Sequence, residues 1–256
     1  MNLPDTIEGL INDMDTMIEQ SIAENNPLGL FTALYQKVTI RVKEGIANGR
    51  FEDGPRMEQL DIIFANRYLE AYQKYQSGRM PTRSWKATFD AAKRTDLILL
   101  QHLLLGMNAH INLDLGIAAA QVNPGASIEA LKNDFIEINK LLFELIEEVQ
   151  SDLAKVSPFL GLVDFLGKNK DEQFAAFSMK AARKHAWLVA QRMASVTESG
   201  REAVIESTDK YVVALNKVIL NPGKLISIIN WIIRLVESKN VAKNIQALRL
   251  GERSEG

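Results

Sequence analysis

Cysteine is absent from the 256 residues, and histidine occurs only three times. The first absence excludes a disulfide framework, a thiolate metal site and a cysteine nucleophile, so any metal must be held by His, Asp, Glu and water. An excess of charge is missing too. Thirty Lys and Arg face 32 Asp and Glu, and the net −2 gives no global electrostatic reason to expect nucleic acid or an anionic membrane as partner. There is no Gly-x-Ser-x-Gly elbow, P-loop or dinucleotide fingerprint, and no pair of Glu-x-x-His motifs of the di-iron type. Asn12-Asp-Met-Asp15 is only a faint echo of the aspartate-rich motif of helical terpene cyclases. Alternating apolar and polar runs of strand length, flanked by hairpin turns, are missing, as are linkers and fixed-period repeats. The opening Met-Asn-Leu-Pro-Asp-Thr-Ile-Glu has neither the basic nor the apolar region of a secretion signal, so a cytoplasmic location is expected.

What is present reads as helix almost throughout. The periodicity predicts helices near 4–22, 30–48, 56–77, 83–120 (broken near Lys93–Thr95), 128–155, 171–198, 201–220, 224–238 and 240–249. Breaks fall at Asn25-Asn26-Pro27, Gly49 to Pro55, Gly78 to Pro81, Asn123-Pro124-Gly125 and Asn221-Pro222-Gly223, with Ser127 as a plausible N-cap. The expectation is one all-α domain over 1–250 with a frayed tail at 251–256. About nine helices would surround a buried central helix at 96–120.

That central helix lies within the most informative stretch. Leu97 to Ala120 is apolar and nearly uncharged, yet it carries His102, Asn108, His110, Asn112 and Asp114. Its length would cross a bilayer, but two His, two Asn, one Gln and one Asp make insertion expensive, so no transmembrane span is expected. In a protein core, each such group costs several kcal/mol unless it is paired or binds something. Residues four apart on a helix face the same way, so His110 and Asp114 project together, with Gly106 expected to leave open space beside His110 and Leu99, Leu103 and Ile117 completing the stripe. The pair can supply two ligands to a divalent metal (Zn, Mg, Mn or Fe), or Asp114 can simply orient the imidazole. His102 lies roughly 80° around the helix and reads as a core histidine. Asn108 and Asn112 share another face, where they can bond helix ends or a ligand.

A second stripe, Met57, Leu60, Phe64, Ala65, Tyr68, Leu69 and Tyr72, has Asp61 in its middle, an acid needing a metal, an arginine or a histidine as partner. Arg67 lies off that stripe, as a pair for Asp61 from a neighbouring copy or as a surface charge. Asn66 and Glu70 read as solvated. His185 shares a stripe with Phe174, Ser178, Ala181, Ala182, Val189 and Val196, whose small members let another helix or a ligand come close. Asp134, at the start of its helix, is adequately explained by the helix dipole. The apolar helix at 224–238 is too short to span a bilayer and reads as a core or homodimer-interface helix, with interfacial membrane binding as the alternative.

Gly106-Met-Asn-Ala-His-Ile-Asn-Leu-Asp-Leu115 resembles the signature of an uncharacterised all-helical family of unknown function. The likeness extends through Phe31 to Thr39, Gly49 to Asp53, Phe64 to Tyr68, Trp85 and Ala186-Trp187, and it implies an all-α fold without an activity. More loosely, the His110-x-x-x-Asp114 pair is similar to the metal-ligand helices of zinc-dependent phospholipase C and the S1/P1-type nucleases. With three histidines and no second such pair, at most one or two metals could be held.

The functional expectation is a small-molecule enzyme with a buried pocket between the 56–77, 96–120 and 171–198 helices. His110, Asp114 and Asp61 would be its catalytic or metal-binding residues, with His102 or His185 as further ligands and Phe64, Tyr68, Asn108 and His185 touching substrate. In one form a divalent metal activates water to hydrolyse a phosphoester. In a second, His110 poised by Asp114 is the acid or base of a metal-free isomerisation or cyclisation. In a third, the polar residues knit the core of a binding or scaffold protein.

Overall fold

The computed structural model describes residues 3–157 and 179–249. Among the described residues eleven α-helices run in chain order: α1 (Ile7–Ala23), α2 (Leu28–Ala47), α3 (Gly54–Gln76), α4 (Arg83–Ala91), α5 (Leu99–Ala109), α6 (Leu115–Val122), α7 (Lys132–Ala154), α8 (Met179–Ser195), α9 (Glu198–Leu220), α10 (Lys224–Val236) and α11 (Val241–Arg249). A π-helical turn, His110–Asp114, joins α5 to α6, and a 3₁₀ stretch, Gly125–Leu131, precedes α7. The fold is all-α, and no strand occurs among the described residues.

Local chemistry sets the boundaries. Thr6 caps α1 by accepting from the Gly9 amide at 3.1 Å, and Asp53 caps α3 from the Arg56 amide at 3.0 Å, just ahead of Pro55 in the first turn. Helix α3 is terminated just past Ser77 by Gly78, whose φ of +72° lets the Arg79 amide turn back onto the Lys74 carbonyl. The expected helix at 83–120 divides where anticipated, between α4 and α5. The one expected at 128–155 starts later, at Lys132. Ser127 does not cap it; its hydroxyl donates to the Pro124 carbonyl inside the 3₁₀ stretch. Of the helix expected at 171–198, the part before Met179, with Phe174 and Ser178, lies outside the described residues, as does the tail.

Leu99–Val122 is the one stretch of helix among the described residues long and apolar enough to cross a membrane, and 89% of its most apolar window is buried inside the protein. Helices α2, α3 and α4 cover one side of it and α8 and α9 the other. Approach to α8 is close because residue 116 is glycine. A Cβ there would lie 2.7 Å from the Ala186 carbonyl and 2.8 Å from Val189.

Three acids remote in sequence fasten the starts of the helices around the centre. Asp134 of α7, buried, accepts from the amides of Glu52 (2.7 Å) and Asp53 (3.2 Å) and from Arg56 Nη2 (2.6 Å) at the head of α3. Asp209 of α9 accepts from the Arg83 and Ser84 amides at 2.9 and 3.0 Å, heading α4. Glu237 takes the Leu99 amide at 2.9 Å, heading α5, and the Ser157 hydroxyl at 2.8 Å. A helix start leaves four amides without intrahelical partners and carries partial positive charge, so a carboxylate satisfies both needs. For Asp134 this corrects the dipole explanation: it serves the head of another helix as well as starting its own.

Helix α10 buries Ile226, Ile229 and Ile233, while Ile228, Trp231, Ile232 and Leu235 stand exposed on the opposite face.

Candidate functional site

The middle of the central helix is where its regularity fails. The Leu115 amide bonds the His110 carbonyl five residues back, which is the π spacing. Such turns interrupt the constant 100° step of the α-helix and recur at functional sites. Residues on either flank can then serve partners in different directions. Asn108 and Asn112 turn toward α9, and His110 and Asp114 toward α2, α3 and α4.

Asp114 is 1% exposed and holds three donors. Arg67 Nε of α3 reaches Oδ1 at 2.8 Å. Trp85 Nε1 of α4 reaches Oδ2 at 2.8 Å. His110 Nδ1 approaches the same Oδ2 at 3.4 Å. Burial works to raise the pKa of this carboxyl, but Arg67, His110 and Trp85 outweigh it and hold it below the ordinary value. Asp114 is therefore an ionised group paired with an arginine of its own chain. That corrects both expectations for Arg67, which is neither a surface charge nor a partner of Asp61.

His110 is enclosed by rings. Phe64 stacks on it with centroids 3.6 Å apart, and Tyr35 meets it edge-on at 4.3 Å. Phe31, Trp85 and Tyr68 stand 5.7, 6.0 and 6.2 Å away. Burial lowers its pKa, against the pull of Asp114, so the ring is neutral at pH 7. With Nδ1–H directed at the carboxylate, Nε2 is left as a lone-pair acceptor, and it has no partner. The space expected beside Gly106 does not exist, since the Phe31 ring fills it and a Cβ on residue 106 would collide with that ring.

Three more buried polar atoms are without partners nearby: Tyr35 Oη, Thr39 Oγ1 and Asp61 Oδ2. Electrostatics ties them to the same place. The Tyr35 pKa is raised well above its ordinary value by burial and then by the charge of Asp61, is lowered by the Thr39 hydroxyl, and also feels Asp114. Burial alone pushes the Asp61 carboxyl up to about 7. Asp61, 4% exposed, sits one turn before Phe64 on α3 and has neither arginine nor histidine as partner.

Of the other expected residues, Asn108, His185 and His102 lie apart. Asn108 donates to the Val212 carbonyl at 3.0 Å and to Asn216 Oδ1 at 2.8 Å, and accepts from Asn112 at 2.9 Å, so it stitches the central helix to α9. His185 packs on Tyr211 of α9, 4.6 Å between centroids, and is not among the rings around His110. His102 lines a cleft of about 340 Å³ bordered by Pro27 and Arg94, its pKa lowered to about 4 by burial and then by Arg94. Tyr68 belongs to the cage and bonds Thr32 at 2.6 Å. Asn66, expected in solvent, is half-buried and donates to the Pro4 carbonyl at 2.7 Å. Phe31, Tyr68 and Trp85 also wall a crevice of about 10 Å³, room for roughly one water, that opens beside Pro27, Ala92 and His102.

A divalent metal fits this arrangement poorly. Among the described residues no three His, Asp or Glu side chains gather closely enough to hold one. Both Asp114 oxygens already accept N–H bonds, and a guanidinium 2.8 Å away repels a cation.

The chain belongs to a family of unknown function (DUF5995), whose profile matches residues 7–222. No curated protein and no solved structure matches it.

Proposed function

We propose that this member of a family of unknown function works on a small, largely apolar molecule by metal-free acid–base chemistry, with His110 as base and Asp61 as acid. The observation that carries the reading is the unpartnered Nε2 of a neutral histidine whose other nitrogen is aimed at an ionised, arginine-paired aspartate. That arrangement selects the tautomer and stabilises the imidazolium once formed, the division of labour seen in His–Asp dyads. A carboxyl with a pKa of about 7 is half protonated at neutral pH and close to the optimum for giving up a proton. Tyr35 meets the His110 ring at 4.3 Å and feels the Asp61 charge, and its hydroxyl can hydrogen-bond a carbonyl or hydroxyl on the guest, while Phe31, Phe64 and Trp85 suit an apolar or planar body.

The reaction class is an isomerisation. Nε2 takes a proton from a carbon next to a carbonyl, the electron pair shifts along the substrate, and Asp61 returns a proton at the new position. Proton exchange between imidazolium and carboxylate then resets the site, so no co-reactant is consumed.

The test needs no natural substrate. Cyclohexanone and 4-phenyl-2-butanone are incubated with the protein in D₂O, and loss of the α-proton signals is followed by NMR. Exchange above the buffer rate, abolished in both His110→Gln and Asp61→Asn, is the expected result. If neither ketone exchanges faster than in buffer, and both substitutions change only the melting temperature, the network is a core fastening and the acid–base reading is wrong.

A further inference from the structure

Among the described residues, Lys37, Arg56, Arg67 and Arg183 carry basic side chains held largely inside the protein, and the first three have a carboxylate. Lys37 meets Asp152 at 2.6 Å, Arg56 meets Asp134 at 2.6 Å and Arg67 meets Asp114 at 2.8 Å. The fourth is Arg183 on α8, more buried than any of them at 7% exposure. Its Nη1 donates to the Asn139 carbonyl at 3.1 Å, and its Nη2 has no partner. No described acid forms an ion pair with it. Glu144, a carboxylate on the wall of the same cavity, is already held by Arg50 at 2.7 Å. Burial lowers the Arg183 pKa to about 10. A guanidinium taken out of water without a counter-charge is costly, and removing that cost requires an anion.

The space for one is present. Arg183 lines a cavity of about 620 Å³ between α7 and α8, within the range of sites that hold drug-sized ligands. Its apolar wall is made by Phe135, Ile136, Met179 and Trp187, with Trp187 and Phe135 in ring contact at 5.0 Å. Ile136 is 46% exposed, an apolar side chain left without cover. Lys180 and Lys184 stand on the rim. Beside the guanidinium, Asn139 presents a side-chain oxygen with no partner, so its amide is free to turn and donate.

We propose that this cavity binds an apolar monocarboxylate, of the medium-chain fatty acid or aryl-alkanoate class. The carboxylate lies on the planar fork of Arg183, which matches it in charge and geometry. The hydrocarbon lies along Phe135, Ile136 and Trp187, and the rim lysines favour the anion's approach. The site is separate from the His110 centre and does not depend on the acid–base reading.

Isothermal titration calorimetry on the full chain tests it, with decanoate as the probe and decan-1-ol as the uncharged control. Decanoate is expected to bind at least tenfold tighter than the alcohol. Arg183→Met should abolish that preference while leaving alcohol binding in place. Because Arg183 is buried, a second variant is placed on the exposed wall: Ile136→Glu brings a like charge to the carboxylate and should weaken decanoate at least tenfold without touching the core. The proposal is overturned if decanoate does not bind, if acid and alcohol bind alike, or if neither substitution alters decanoate affinity. A crystal structure showing a carboxylate of the same chain seated on Arg183 would overturn it as well.

Discussion

Arg67→Met isolates the charge at the heart of the bundle. The substitution keeps the length of an apolar stem and removes the guanidinium bonded to Asp114, a carboxylate 1% exposed. Trp85 and His110 remain, so the acid is left with two neutral donors in a ring-lined interior. Removing one partner of a buried pair costs about 3–5 kcal/mol. Arg67 itself retains 20% exposure, which places this case near the lower end, about 3 kcal/mol at pH 7. For a chain of this size that corresponds to a fall in melting temperature of roughly 6–12 °C. The pH dependence gives a sharper check. In the wild type Asp114 has a lowered pKa, so its contribution to stability is present above the unfolded value and is lost as pH falls through the folded one. Without Arg67, burial is the dominant influence and the folded pKa moves above the unfolded value. The variant's deficit should then shrink as pH is lowered from 7 toward 4. Urea unfolding followed by far-UV circular dichroism at pH 7, 6 and 5 measures both. Combining Arg67→Met with Asp114→Asn should cost less than the sum of the two single changes, because the stranded charge is gone. A deficit below about 1 kcal/mol that is flat with pH and additive with Asp114→Asn would refute the assignment of this pair as the electrostatic anchor of the centre.

Three further outcomes follow from other parts of the molecule. Asp61, with its pKa raised to about 7 by burial, stabilises the fold fully only below its unfolded pKa, and that contribution is lost as pH rises through 7. Asp61→Asn should therefore be more stable than wild type at pH 8, by something on the order of a few kcal/mol, with the gap narrowing at pH 5; equal denaturation midpoints at both pH values would count against it. Gly106→Ala, which by helix propensity alone would gain about 1 kcal/mol, should instead lose 1–3 kcal/mol because the new Cβ meets Phe31, as thermal melts can decide. If the exposed face of α10 pairs two copies, Trp231→Asp converts a dimer to a monomer in sedimentation velocity, whereas an unchanged sedimentation coefficient removes that interface.

The helical class and the main breaks are legible because each rests on local chemistry. Pro27, Pro55 and Pro124 limit hydrogen bonding, Gly49, Gly78, Gly125 and Gly223 take positive φ, and an apolar run from residue 97 to 120 has to be surrounded. The burial of His110, Asp114 and Asp61 follows from the same pattern. What periodicity does not reveal is any event that breaks the period. The π turn at His110–Asp114 shifts the register within the stretch of greatest interest, and no residue type announces it. Arg67 looks superficial from its position off the stripe, yet a long side chain can reach inward from a helix edge. Tyr35 and Thr39 sit in the first half of α2, where nearly every residue from Gly29 to Thr39 is buried, so its polar members do not stand out against an opposing face. Gly106 invites a reading of open space when a glycine equally marks where a neighbouring ring comes closest. Arg183 carries no sequence signal, because its distinction is the carboxylate it lacks.

The three carboxylates that fasten the heads of α3, α4 and α5 stand 81, 126 and 138 positions downstream of amides they hold. A chain emerging from the ribosome thus completes its middle long before the residues that finish it. Leu99 waits for Glu237, which lies beyond the span shared with the family. Nascent chains halted before that acid should leave the entrance of the central helix frayed, so the last part made decides when the middle becomes orderly.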